Sequence, residues 1–245
     1  MATEEKILLV THTRKIIEVS FQGELTELST LSPSISTSNL NASFGAFNRA
    51  FIIPDNRLVE ITNIRTGANR SIGTLSIPDN ENIVAATSVD DPVSGESVYI
   101  ITNKTDVTNA ASVLWKITSV DRAIIEKVGN LYRDERGSTA TFPVRVSAAF
   151  SVNRKLYLIG SSLNGSGFLW SVNTKTADVR VKSYFYDRSS DATIPTATGL
   201  DNRAFYVLLA GETDFVSWRE LTDPEHENED SVPPDTKSVS PANRT

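Results

Sequence analysis

Val152-Asn153-Arg154-Lys155-Leu156 joins a run of small residues to an apolar, β-forming run through an Asn-Arg pair suited to a tight turn. The arrangement recurs as Phe47-Asn48-Arg49-Ala50-Phe51, as Asp201-Asn202-Arg203-Ala204-Phe205 and, at the C-terminus, as Ala242-Asn243-Arg244-Thr245. A turn repeated between two short strand-like stretches marks a repeated β unit.

A second repeated element sets the phase. Lys15-Ile16-Ile17-Glu18-Val19-Ser20 matches Arg57-Leu58-Val59-Glu60-Ile61-Thr62, and the same slot holds Val113–Thr118, Phe168–Asn173 and Phe215–Leu221. Steps from Ile17 to Val59, Trp115, Trp170 and Trp218 are 42, 56, 55 and 48 residues. Periods of this size, built from short strands, belong to propeller blades. Each repeat then reads as four strands. The inner one is small and weakly polar: Asn41–Phe47, Ile83–Val89, Val146–Val152 and Thr196–Leu200. The second is strongly β-forming: Leu8–Thr11, Ala50–Ile53, Val98–Thr102, Leu156–Gly160 and Phe205–Ala210. The third is the slot just described. The outer one is Glu24–Leu28, Arg70–Leu75, Ile124–Val128 and Val179–Tyr184, less apolar as an edge should be. Helical periodicity is absent.

The first repeat lacks an inner strand, while residues 236–245 offer small residues and the Asn-Arg turn. The expectation is an all-β, five-bladed β-propeller forming one domain over residues 1–245. Its ring would be closed by the C-terminal segment acting as inner strand of the first blade. Residues 224–235 read as a polar acidic loop, where the last blade's outer strand is missing. The pattern resembles β-propeller repeats as a class across nearly the whole chain. It lacks the WD dipeptide and the kelch double glycine, so the resemblance implies architecture and no inherited active site.

Composition narrows the function classes. The 245 residues carry a net charge of −6 with no basic run, which argues against nucleic acid and anionic membrane as partners. No apolar stretch is long enough to span a bilayer, and no signal peptide is visible at the N-terminus. The absence of cysteine excludes disulfides and thiol chemistry. Sequons stand at Asn41, Asn69, Asn103, Asn164 and Asn243, about as many as this composition gives by chance. The compartment stays open, with an extracellular or particle-surface setting as the expectation.

Candidate chemistry is sparse. Trp115, Trp170 and Trp218 occupy the same slot in three repeats and read as wedge-filling core rather than sugar platforms. Arg49, Arg154, Arg203 and Arg244 beside the turns read as structural ion pairs rather than an anion-binding ring. Inner strands carry almost no carboxylate, with Asp90 and Asp201 at their distal ends and Glu81 just before one, which disfavours a glycosidase. His12 and His226 have no companions at ligand spacing, so no metal, cofactor or catalytic residue is expected. The long loops, Ser32–Leu40, Asn103–Ala111, Tyr132–Thr141, Ser161–Gly167 and Tyr186–Pro195, fall on one side of the repeats. Tyr132, Arg133, Asp134, Arg136, Tyr186, Asp187 and Arg188 are the expected contact residues. The expected function is non-enzymatic binding of a protein or glycan. The alternative is a structural subunit of a larger particle or adhesive assembly, ahead of a polysaccharide hydrolase or lyase.

Overall fold

The computed structural model describes residues 7–20, 22–38, 40–91, 95–105, 111–134, 141–152, 154–161, 167–184, 195–200, 205–209, 215–218 and 237–239. Two compact units make up the chain: residues 1–79 with 117–126, and residues 80–116 with 127–245. Each is described by itself.

The described residues form five antiparallel meanders. Sheet 1 has three strands, β1 (Ile7–Val10), β2 (Lys15–Val19) and β3 (Leu25–Thr30). Sheet 2 is β4 (Leu40–Ala46), β5 (Arg49–Pro54), β6 (Arg57–Asn63) and β7 (Ala68–Thr74). Sheet 3 is β8 (Glu81–Asp91), β9 (Gly95–Lys104), β10 (Val113–Ser119) and β11 (Ile124–Asn130), with one short 3-10 turn at Val120–Arg122. A hairpin follows, β12 (Tyr132–Asp134) and β13 (Thr141–Pro143). It adds to the outer edge of sheet 4: β14 (Arg145–Val152), β15 (Lys155–Ser161), β16 (Gly167–Val172) and β17 (Asp178–Tyr184). Sheet 5 is β18 (Pro195–Leu200), β19 (Phe205–Leu209), β20 (Phe215–Trp218) and β21 (Lys237–Val239). Strand order follows chain order within every meander, as the repeat reading expects of a blade.

A shared cross-strand pattern explains why the repeats fold alike. Each inner strand is irregular at one place and resumes pairing on an alanine: Ala42 opposite Ile53, Ala85 opposite Ile101, Ala148 opposite Ile159, and Ala197 opposite Leu208. Two residues on, the second strand always presents an aromatic: Phe51, Tyr99, Tyr157 and Tyr206. Inner-strand residues bulge where the strands crowd, so a small side chain resumes the ladder. The aromatics give area at a fixed register. Phe44 stacks on Phe51 with centroids 5.0 Å apart, and Phe150 on Tyr157 at 5.5 Å. Aliphatics of the second and third strands, among them Ile53, Leu58, Ile101, Leu114 and Leu158, fill the core together with connecting residues such as Leu31, Leu75 and Leu131.

A second regularity joins neighbouring sheets inside each unit. Gly67, in the turn before β7, has φ +66, and a Cβ there would come within 2.6 Å of Ser29 Oγ on β3. Ser29 Oγ donates to the Gly67 carbonyl at 2.6 Å. The positive-φ residues Ala123 and Ala177 take the same turn position and lie against Gly73 and Gly129 on the preceding outer strands. Close approach by a small turn residue thus fixes how one sheet meets the next.

Three expectations need correction. Lys237–Val239 pairs with Phe215–Ser217 as the outer strand of sheet 5, not as the inner strand of sheet 1. Lys237–Val239 is thus the fourth strand of sheet 5, and residues 224–235, expected to form an acidic loop, lie outside the described residues. Residues 132–134 and Thr141 of the loop expected at 132–141 lie in ladder strands, because 132–134 pair with 141–143 on one side and Tyr132 and Arg133 with β17 on the other. The Asn-Arg pairs also differ in phase. In sheet 2 the two-residue turn is Phe47-Asn48, φ 53 and 56, and Arg49 opens β5. In sheet 4 Val152 pairs with Lys155, so Arg154, φ 66, lies inside the turn.

Candidate functional site

The hairpin of β12 and β13 holds the sequence-expected residues that fall within the described structure. Tyr132 pairs with Pro143 on one side and Asp178 on the other, and its side chain is 40% exposed. Arg133 and Asp134 follow it along β12, opposite Phe142 and Thr141. Arg136, Tyr186, Asp187 and Arg188 lie outside the described residues. By adding in parallel to β17, the hairpin covers an edge that would otherwise offer unpaired backbone groups.

Its base is firmly held. Leu131 and Val144, the residues flanking the hairpin, are buried in the core cluster of the second unit with Val146, Leu158 and Trp170. The Leu131 N–H donates to the Ser112 carbonyl at 2.7 Å, and the Ser112 N–H to the Val144 carbonyl at 2.8 Å. The Val144 N–H donates to the Leu131 carbonyl at 3.1 Å. Ser112 is wholly buried, and its hydroxyl donates to Asn103 Oδ1 at 2.5 Å while accepting from the Val146 N–H at 2.9 Å. Asn103 Nδ2 closes the clasp by donating to the Val146 carbonyl at 2.9 Å. A satisfied buried network of this kind is rigid, since loosening any member strands another in low dielectric.

Beside the clasp lies a carboxylate that sequence reading placed just before an inner strand. Glu81 is in fact the first residue of β8 and only 6% exposed. Its Oε2 accepts from the Thr102 hydroxyl and from Trp115 Nε1 at 3.2 Å, and Trp115 Nε1 also reaches Thr102 Oγ1 at 3.0 Å. Among the described residues no cation pairs with it. Asp90 is exposed at the opposite end of β8, about 30 Å away at the strand rise. Glycoside hydrolysis needs two carboxyls within roughly 10 Å. Glu81 and Asp90 do not supply that pair.

On the short-turn side Arg49 is taken up by ion pairs within its own unit. Arg49 Nε and Nη2 donate to the two oxygens of Glu60 at 2.7 and 2.9 Å, and Nη1 to Asp121 Oδ1 at 2.8 Å. Arg70 donates to Glu60 Oε2 at 2.5 Å, and Arg49 lies over the Phe51 ring at 5.0 Å. The hydrogen bonds from Arg49, aided by Arg70, outweigh burial and hold the Glu60 carboxyl at about 2, while the Arg49 guanidinium is pushed up by Glu60. Arg154 is an exposed turn residue, and Arg203 and Arg244 lie outside the described residues.

Other candidates resolve structurally. Trp170 is fully buried, and Trp115 is its counterpart in sheet 3, since Trp170 lies against Gly160 and Trp115 bonds the equivalent Thr102. Trp218 is not equivalent: it pairs with Phe205, and Val216 takes the Trp170 position opposite Val207. His12 Nδ1 meets the Thr37 carbonyl at 3.0 Å, and the Thr37 hydroxyl donates to the His12 carbonyl at 2.7 Å. His226 lies outside the described residues. Asn69 Nδ2, like that of Asn103, is engaged, donating to the Gly67 carbonyl at 3.1 Å. The atom a glycan would take is thus used in the fold at both sequons. Among the described residues no three His, Asp or Glu group as metal ligands, and no helix is long and apolar enough to cross a membrane.

No family model and no curated protein matches the sequence. Solved structures do match. Virginiamycin B lyase from Staphylococcus aureus aligns with a TM-score of 0.54 at 13% identity, over 97% of this chain and 67% of the lyase. A chain of the nidogen/laminin complex aligns at 0.55 and 10% identity, over 89% of this chain and 75% of that one. The Dos1 propeller aligns at 0.52 and 9% identity, over 89% and 65%. The chain is therefore a β-propeller repeat protein by fold. The likeness reaches both an enzyme and a protein complex, and at these identities it carries the fold alone.

Proposed function

We propose that this chain is a non-enzymatic interaction module that holds a protein partner through the face bearing the β12–β13 hairpin. The observation that carries the reading is the exposed Tyr132 on a hairpin whose base is locked by Leu131, Val144 and the Asn103–Ser112–Val146 clasp. An aromatic on a rigid support offers contact area at small entropic cost. Arg133, Asp134, Arg136, Tyr186, Asp187 and Arg188 complete the proposed contact surface. A five-bladed ring in a single domain is the architecture that goes with this proposal, and a glycan is the other ligand the surface would be screened against. The separation of Glu81 from Asp90 by the length of β8 supports binding over hydrolysis by that pair.

The test combines native mass with binding. Light scattering on the purified chain is expected to give a monomer, and a photo-crosslinker at Tyr132 is expected to capture a discrete protein. Retention in a large homogeneous assembly would favour the structural-subunit reading. Polysaccharide turnover lost in Glu81→Gln would overturn the non-enzymatic one.

A further inference from the structure

Two turns of sheet 2 hold both of their residues at positive φ, and they are filled differently. Asp55-Asn56, between β5 and β6, has φ 42 and 61, and Asp and Asn take this conformation at small cost. Phe47-Asn48, between β4 and β5, has φ 53 and 56, and it puts a phenylalanine where such a turn favours Asn, Asp or Gly. Among the described non-glycine residues with positive φ, Phe47 is the one aromatic. The fold gains little in return: Phe47 is 44% exposed, whereas Phe44 and Phe51 of the same sheet are buried and stacked. A bulky side chain held in a strained turn and left half in water points to a contact residue rather than a core one. Ile64, 49% exposed, stands in the next turn at the same end of the sheet. Ala46 pairs with Arg49 around the first turn, Asn63 with Ala68 around the second, and Ala50 with Ile61 between them. The charge around these turns is basic. Arg65 follows Ile64 and is exposed, Arg49 and Arg70 share Glu60, and Asp121, which pairs with Arg49, is followed by exposed Arg122. Four arginines against two carboxylates leave +2 here, although the whole chain carries −6.

We infer that this end of sheet 2 is a second docking surface, and that its occupant is an acidic segment of a partner protein carrying a bulky apolar side chain. The apolar side chain lies against Phe47 and Ile64, and the carboxylates meet Arg65, Arg70 and Arg122. Glu60 already orients Arg70, and a guanidinium offers a planar fork that grips a carboxylate through two bonds. Aromatic and arginine side chains on a rigid support are where interfaces draw most of their energy. Two apolar tips offer too little area to hold the chain on a bilayer, which sets a peptide ahead of a lipid surface. Phe47 belongs to the first unit and the β12–β13 hairpin to the second, and either reading can fail without the other.

The probe is a random peptide library displayed on phage, selected on the full chain and counter-selected on Phe47→Asn. The recovered peptides are expected to be acidic, to carry a bulky apolar residue and to lose affinity as salt is added. They should bind the Arg65→Ala, Arg122→Ala double variant about tenfold or more weakly, and Tyr132→Ala as well as the parent. Phe47→Asn should melt about 2 °C above the parent, because Asn takes positive φ with less strain, and the same curve checks that the variant is folded. A melting temperature no higher than the parent's would mean that Phe47 repays its strain by packing, and overturns the proposal. Recovery of no peptide specific for the parent, or of peptides without acidic residues, overturns it equally. So does co-sedimentation with phosphatidylserine vesicles that Phe47→Asn abolishes, which would assign the surface to a membrane.

Discussion

In sheet 2 a row of cross-strand partners runs Phe44, Phe51, Glu60, Arg70, and in sheet 4 the equivalent row runs Phe150, Tyr157, Ser171, Arg180. The aromatic half is common to both and stacked in both. The polar half differs: a buried carboxylate between two guanidiniums in one, a serine in the other. What the two sheets share is a nonpolar contact worth roughly 0.5–1.5 kcal/mol beyond its buried area, and that is the part that specifies a blade. The ion network is a local lock on sheet 2. Sheet 4 is tightened instead by packing, with Trp170 wholly buried against Gly160.

The comparison breaks most severely at Gly160. A Cβ there would lie 1.9 Å from the Arg145 carbonyl oxygen and 2.9 Å from Trp170 Cζ3. Both obstacles belong to paired strands, so neither can yield freely. Gly160→Ala is expected to cost about 4 kcal/mol or more, read by urea denaturation. The equivalent Thr102 of sheet 3 shows that a side chain fits only where the tryptophan stands further out, as half-buried Trp115 does. A midpoint within experimental scatter of the parent would mean that β14 can shift without loss.

Next comes the lock of sheet 2. Glu60→Ala leaves Arg49 Nε and Nη2 without their acceptors on a partly buried site, with only the Asp121 pair kept, and is expected to cost ~3 kcal/mol. Glu60 is held near 2 in the folded chain against 4.5 for the free group, first by the Arg49 hydrogen bonds. A lowered carboxyl pKa contributes stability that is complete above the unfolded value and lost as pH falls through the folded one. Stability should therefore decline between about pH 4.5 and 2, and Glu60→Gln should flatten that slope. Identical acid limbs for parent and variant would show that Glu60 is not the group responsible.

The hairpin clasp should respond more mildly. Ser112→Ala leaves the Val146 N–H and the Asn103 carbonyl oxygen without their partner, for an expected loss of ~2 kcal/mol. Protease cutting within residues 132–143 should rise before global unfolding does. Cutting that tracks global unfolding alone would mean that the clasp does not hold the hairpin.

The strand order of sheets 2, 3 and 4 is legible in the sequence because the second and third strands are continuous apolar runs separated by turn residues, whereas the outer strand of sheet 5, Lys237–Val239, is too short and polar to be assigned to its sheet. The phase was less legible. The Asn-Arg pair recurs, yet Arg49 opens a strand while Arg154 lies in a turn, so identical dipeptides serve different positions. The steadier marker was the aromatic of the second strand, at Phe51, Tyr99, Tyr157 and Tyr206, partnered by the post-bulge alanine. That signal is spread over two strands and appears only once register is known. For the same reason Trp218 matches the slot by residue type while standing two residues out of phase with Trp170. Of the candidate site, Tyr132 is legible by its type, but its strand is not, because a two-residue pairing to β17 leaves no periodicity to read. The anchoring residues Ser112 and Asn103 gave no signal at all, since a buried serine looks like any other in sequence.

The mildest test rebuilds the lock where it is missing. Lys155 stands two residues before Tyr157, as Arg49 stands two before Phe51, and Arg180 corresponds to Arg70. Ser171→Glu would place a carboxylate between them, opposite Tyr157 as Glu60 is opposite Phe51. Arg180 is exposed, and Lys155 lacks the planar fork that lets Arg49 grip both oxygens of Glu60. The new pairs should thus return little more than an exposed ion pair, ~0.5 kcal/mol, for a rise of roughly 1–2 °C in melting temperature that high salt removes. Adding Lys155→Arg to Ser171→Glu should increase the gain. If the double variant is no more stable than the single one, bidentate geometry is not what makes the sheet 2 network strong, and the burial of Glu60 must be the reason instead.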